Sequence, residues 1–254
     1  MLHELSEARS VRGVRHPSQL ALAWVGVVGK ALGAVAEASF LTFCERSPVG
    51  HEREYGSLLR MDISFHGVAL RTAPGRVFMP RPTTEALVDA ALARADARPV
   101  KVADVGTGTG AVAIAIAAAA PRAEVWATDT NADAVALARE NAARNGVADR
   151  VHVLHGTLLE PVPEPVELVV ANLPYLPEAT REAPEHADLK LEPFDAVYAP
   201  GDGLGPYQGL LDACEVGKLI EGGHVLIQFH RQVLHADCWN LAALRRQLEA
   251  DVAA

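Results

Sequence analysis

The stretch Lys101-Val-Ala-Asp-Val-Gly-Thr-Gly-Thr-Gly110 constrains this chain more than any other. A short β-branched run climbs into glycines at 106, 108 and 110, and the apolar segment beginning at Ala111 continues as a helix. Glycine removes the side chain where backbone must turn and where a ligand approaches the main chain. The first N–H groups of the following helix lack intrahelical partners and can face that ligand. Nineteen residues after Gly110 a second strand, 124–128, ends in Asp129, an acid suited to accept hydrogen bonds from ribose hydroxyls. The pattern is the nucleoside-binding first half of an open α/β sheet.

Beyond this point strands and helices alternate. Strands are expected at 101–105, 124–128, 150–154, 166–171 and 222–229, and helices at 110–119, 132–145, 204–217 and 240–254. Strands separated by helices imply right-handed crossovers and a doubly wound, mainly parallel, Rossmann-like sheet. Upstream, Ile63, Phe65, Val68 and Leu70 flank Gly67 as a hairpin would. Pro74, Pro80 and Pro82 then hold the chain extended until Thr83 or Thr84 caps a helix. Three regions follow: a helical N-terminal region at 1–60, in which Ser18 caps a helix, a hairpin and proline-rich connection at 61–82, and a nucleoside-binding domain at 83–254.

With a formal charge of −9, the chain lacks the basic footprint of nucleic-acid binding, which makes that partner class unlikely. Three cysteines, Cys44, Cys214 and Cys238, cannot all pair and show no metal-ligand spacing, which fits a reducing interior. Residues 1–17 are polar rather than a secretory leader, and the apolar run 20–28 is too short for a membrane span. A cytoplasmic protein without membrane attachment is expected. The ten histidines show no paired ligand spacing, so no metal is expected, and only His230, just past the strand 222–229, merits a test.

The glycine spacing alone also fits a nicotinamide-dependent oxidoreductase, with Ala111 at the third position of the dinucleotide pattern. Two features favour a different ligand. Asp104 precedes the turn, where a pyrophosphate would gain nothing from a carboxylate but an ammonium group would. Asn172-Leu173-Pro174-Tyr175 ends the strand 166–171, where open α/β sheets bind their ligands. Asn172 offers a carbonyl oxygen, Pro174 biases Leu173 toward an extended backbone, and Tyr175 offers a flat face. Asn172 Oδ1 and the Leu173 carbonyl can together hold both hydrogens of an –NH₂ group.

Residues 74–232 resemble the glutamine N5-methyltransferases that modify peptide-chain release factors, class I enzymes that use S-adenosylmethionine. The resemblance rests on Pro74-Gly75 with Met79-Pro-Arg-Pro-Thr-Thr-Glu85, Asp104 to Gly110, Asp129, Ala138 to Gly146, Asn172 to Tyr175, Glu192-Pro193, and Gly201 to Leu204 with Tyr207. It implies a class I methyltransferase domain with S-adenosylmethionine as cofactor. Asp104, Gly106, Thr107, Gly108, Thr109, Gly110, Asp129, Thr157, Leu158, Asn172, Phe78 and Arg81 are then expected around the donor. Asn172, Leu173, Pro174 and Tyr175 are expected to hold the methyl acceptor.

Leu173 stands where the family has its first motif proline, and Thr157 where it usually has an acid. Residues 1–60 represent the family's helical docking domain only in part. The two strands that would follow 222–229 have no sequence to occupy, so the sheet is expected to stop at its fifth strand. That strand would be an exposed edge, which invites pairing and a homodimer. The acceptor is expected to be a protein glutamine, with a small-molecule amine or amide as the alternative. A non-catalytic, methyltransferase-like binding subunit is a further alternative.

Overall fold

The computed structural model describes residues 60–95, 98–230, 232–238 and 240–253. The helical region expected at 1–60 therefore lies outside the described residues, apart from Arg60.

The chain enters through a hairpin, β1 (Met61–Phe65) and β2 (Val68–Thr72), turned by His66 and Gly67, both at positive φ. A 3₁₀ turn at Pro82–Thr84 leads into α1 (Glu85–Ala95). The alternating core follows as β3 (Val100–Val105), α2 (Ala111–Ala119), β4 (Ala123–Asp129), α3 (Ala132–Arg144), β5 (Val151–His155) and β6 (Val166–Ala171). Two short strands, β7 (Leu176–Pro177) and β8 (Tyr198–Ala199), pair with each other and gather the segment between them. The chain ends in α4 (Gly205–Ala213), which runs into a π turn at Cys214–Lys218, then β9 (Leu219–Phe229), β10 (Gln232–Asp237) and α5 (Leu241–Ala253).

Among the described residues, six strands form the main sheet in the order β10-β9-β6-β3-β4-β5. All neighbours pair parallel except β10, which runs antiparallel to β9. The strands are apolar on both sides because both sides are covered. Val102, Leu168, Val170 and Leu226 join α1, α2, α3 and the hairpin in one core layer. Ala103, Val169, Ala171 and Ile227 join α4 and α5 in the other. Helix α2 is buried almost all round, which is why it consists of alanine, valine and isoleucine alone.

The expected end of the sheet is corrected here. Strand β9 is not an edge, because β10 pairs along it from Gln232 opposite Phe229 to Asp237 opposite His224. His230 takes φ 52° and begins the tight turn between them. Leu234 and Ala236 then bury on the α5 side, giving a short alternating strand. The argument for a homodimer rested on an uncovered β9 and loses its basis with this pairing. No helix among the described residues is long and apolar enough to cross a membrane.

The order β9-β6-β3-β4-β5 means that the chain first builds outward from β3 and then returns to β6 on the other side. The turns after β3 and β6 therefore part from each other, and their carboxyl ends open a crevice at the switch point.

Candidate active site

The crevice is a cavity of about 550 Å³, within the range of roughly 300–1,000 Å³ usual for small-molecule sites. Of the residues singled out in the sequence, Phe78, Arg81, Asp104, Gly106, Thr107, Gly108, Thr109, Asp129, Thr157, Leu158, Asn172, Leu173, Pro174 and Tyr175 line it. Gly110 does not; it is the left-handed N-cap of α2, where a Cβ would meet Ile114 Cδ1 at 2.8 Å and Ala138 at 3.2 Å. His230 lines the cavity too, its ring 5.0 Å from that of Tyr175.

The glycine turn is fastened from three directions. Gly106 and Thr107 donate their N–H groups to the Thr128 carbonyl, each at 2.9 Å. The buried Asn141 of α3 donates to the Thr109 carbonyl and also clasps Arg71 of the hairpin. Gly106 sits at φ 72°, and a Cβ there would lie 2.8 Å from Leu173 Cδ2, so the turns after β3 and β6 can touch only through a glycine.

Asp104 is 2 % exposed, and its Oδ2 accepts from Thr107 Oγ1 at 2.7 Å and from the Ala113 N–H at 3.1 Å. Burial pushes its carboxyl up to about 6, against the downward pull of those two hydrogen bonds, while the nearby Asp129 charge adds to the rise. The expectation that Asp104 faces an ammonium group is thus modified: one of its oxygens is committed to tying the turn to the start of α2. Asp129, at the end of β4, accepts from the Gly108 N–H and the Asn131 N–H, each at 2.8 Å. Burial raises its carboxyl above the usual range, and its backbone donors oppose that.

The proline-rich segment forms the facing wall. Arg81 pairs with Glu192 at 2.7 Å, and Glu192 also accepts from the Met79 N–H at 3.1 Å. The Arg81 guanidinium lies 5.2 Å from the Phe78 ring centroid, a cation–π contact. One acid from the β7–β8 segment thereby holds Phe78 and Arg81 against the cavity.

Sequence reasoning missed the residues that orient the Asn172 turn. Asn172 Nδ2 donates to Thr84 Oγ1 at 3.3 Å, and Gln228 Nε2 to Thr83 Oγ1 at 3.3 Å. Both threonines were expected to cap a helix; instead they sit in the 3₁₀ turn over the carboxyl ends of β6 and β9. The fully buried Tyr207 of α4 accepts from the Leu173 N–H at 3.1 Å, and its hydroxyl lies 3.0 Å from the Leu173 carbonyl and 2.6 Å from the Gln228 carbonyl. Burial raises the phenol's pKa, so it stays protonated. The Leu173 carbonyl, expected to stand open to the cavity, is therefore within reach of this phenol, because Tyr207 gathers both ends of the Leu173 residue. The signal available in the sequence was Tyr207 itself, an aromatic with a polar tip in an otherwise apolar helix face.

Comparison with known proteins bears on what such a cavity holds. The methyltransferase small domain family matches residues 82–185. The release factor glutamine methyltransferase of Deinococcus radiodurans is 39% identical over 202 residues, covering 79% of this chain and 69% of that protein. That of Moorella thermoacetica is 35% identical over 199 residues, covering 78% and 68%. The chain belongs to the release factor glutamine methyltransferase family. It is accordingly an S-adenosylmethionine-dependent methyltransferase of class I fold, and the dinucleotide reading of the glycine turn is set aside. Among solved structures, ribosomal protein L11 methylase from Lactobacillus delbrueckii subsp. bulgaricus aligns over 72% of this chain and 74% of its own, at 26% identity and a TM-score of 0.45.

The residues present fit the family's methyl donor. The side-chain-free turn at 106–108 lies under one end of the cavity, an acid ends β4, and Leu158 closes an apolar flank. The buried Thr109 Oγ1 has no hydrogen-bond partner within the described protein, which leaves a polar atom for a ligand to satisfy.

Proposed function

We propose that this enzyme transfers the methyl group of S-adenosylmethionine to the side-chain amide nitrogen of a glutamine in a protein, a peptide-chain release factor by likeness to its relatives, in the cytoplasm. One observation carries the reading. The nitrogen of the Asn172 carboxamide is engaged by Thr84, which leaves Oδ1 as the atom that can accept from an incoming N–H at the mouth of β6.

The donor would rest on Gly106 to Gly108, with Asp129 toward its ribose, Thr157 and Leu158 toward its base, and Phe78 and Arg81 closing the near side. When bound it supplies a methyl on a sulfonium: the amide nitrogen's lone pair forms the new C–N bond, the S–C electrons return to sulfur, and the surplus N–H proton passes to water. The protein's share is alignment and charge placement. An amide nitrogen is a poor nucleophile because its lone pair is delocalised. Hydrogen bonds from its N–H groups to Asn172 Oδ1 and a second acceptor raise its electron density and aim it. Tyr175, stacked against Phe229 and His230 with ring centroids about 5 Å apart, presents an aromatic face for the planar amide.

The test is incubation with S-adenosylmethionine and a bacterial release factor, followed by tandem mass spectrometry. The reading expects one added methyl on a glutamine side chain. Methylation at another residue type, or of a small amine alone, would replace it.

A further inference from the structure

Ala171 and Ile227 are register partners on the parallel strands β6 and β9, so Asn172 and Gln228 follow side by side at the carboxyl end of the sheet. Both line the cavity. Their amide nitrogens point to consecutive threonines of one 3₁₀ turn, Asn172 to Thr84 and Gln228 to Thr83. The Gln228 side chain is almost wholly buried, with the residue 4 % exposed, and its Oε1 has no hydrogen-bond partner within the described protein. A buried acceptor left unpaired destabilises the fold unless something else donates to it. The Leu173 carbonyl, meanwhile, lies within reach of the Tyr207 hydroxyl.

We propose that Gln228 Oε1 is the second acceptor for the methyl-accepting nitrogen, so that a primary carboxamide is held by two side-chain oxygens, Asn172 Oδ1 and Gln228 Oε1, each aimed by its own threonine. This rests on the glutamine reading above and deepens it by naming what recognises the second N–H. It makes the site selective for a nitrogen bearing two hydrogens, because a ligand with one leaves a buried oxygen unpaired.

The test compares Gln228→Met, Gln228→Glu and Thr83→Val with the wild-type full chain, alongside Asn172→Ala. Gln228→Met is expected to lower kcat for glutamine methylation roughly 10- to 100-fold while the S-adenosylmethionine Kd changes less than about threefold. Gln228→Glu keeps an acceptor oxygen and is expected to retain most of kcat, with a new rise in rate as the introduced carboxyl ionises. Thr83→Val frees the carboxamide and is expected to fall between them. A readout independent of turnover is the melting temperature of the donor-free protein. Gln228→Met removes the unpaired oxygen and should raise it by about 2 °C, whereas a purely structural glutamine would lower it. Full turnover in Gln228→Met beside an inactive Asn172→Ala overturns the proposal and leaves the glutamine reading standing; a wild-type enzyme that methylates no glutamine overturns both. If Gln228→Met does not fold, a Thr83→Val or Gln228→Glu enzyme indistinguishable from wild type in kcat and pH profile overturns it equally.

Discussion

The Tyr207 hydroxyl lies 2.6 Å from the main-chain carbonyl of Gln228, and the same oxygen accepts the Leu173 N–H. A helix on one face of the sheet thus locks the ends of two adjacent parallel strands together, while two threonines on the opposite face hold the side chains of Asn172 and Gln228. The turn after β6 is fixed from both sides before any ligand enters.

Tyr207→Phe removes that lock and little else. It leaves the Leu173 N–H and the Gln228 carbonyl buried without their partner, which costs about 1–3 kcal/mol. Urea denaturation should show the loss, and kcat should fall while donor affinity, set at the glycine turn, holds.

Asp104 gives a pH signature. Its carboxyl is held up to about 6 in the fold against an ordinary 3.8, chiefly by burial, so the folded state favours the protonated form. Stability contributed by that proton is full below the unfolded value and is lost as pH rises through about 6. Asp104→Asn, which keeps an acceptor for Thr107 and Ala113, removes the burden of the buried charge. The donor-free variant should be more stable than wild type at pH 7.5, by up to about 3 kcal/mol, with the advantage shrinking toward zero near pH 4. Melting curves across that range check it; an advantage that does not vary with pH would contradict the assignment.

Asp129→Ala removes the acceptor of the Gly108 and Asn131 N–H groups along with the acid that faces the cavity. Calorimetric titration should show S-adenosylmethionine affinity weakened roughly 10- to 100-fold. Unchanged affinity would separate this acid from the ribose.

Glu192→Ala releases Arg81 and the Met79 N–H together. Arg81 is partly exposed, so the stability cost stays near 1–2 kcal/mol. The larger effect should be kinetic, a raised KM for donor and acceptor as the proline-rich wall loosens, measurable in steady-state assays.

Much of this arrangement was legible in the sequence, and the reason is local. The strand expected at 101–105 is Val100–Val105 and that at 166–171 is found unchanged, because doubly buried parallel strands read as continuous β-branched runs. The glycine turn announces itself because no other residue tolerates its backbone. Strand β10 stayed hidden because its turn uses His230 rather than glycine or asparagine, and polar His235 and Asp237 interrupt the apolar run. Thr83 and Thr84 were visible only as caps. Their hydroxyls reach residues 145 and 88 positions away, and no local pattern encodes such a contact.

The central claim is that the Asn172 carboxamide oxygen orients a glutamine nitrogen toward a donor bound over the glycine turn. It is tested most directly by measuring S-adenosylmethionine affinity and single-turnover methylation in the same preparation of Asn172→Ala. The account predicts donor affinity within about threefold of wild type and methyl transfer slowed roughly a hundredfold or more. Transfer at the wild-type rate would contradict it.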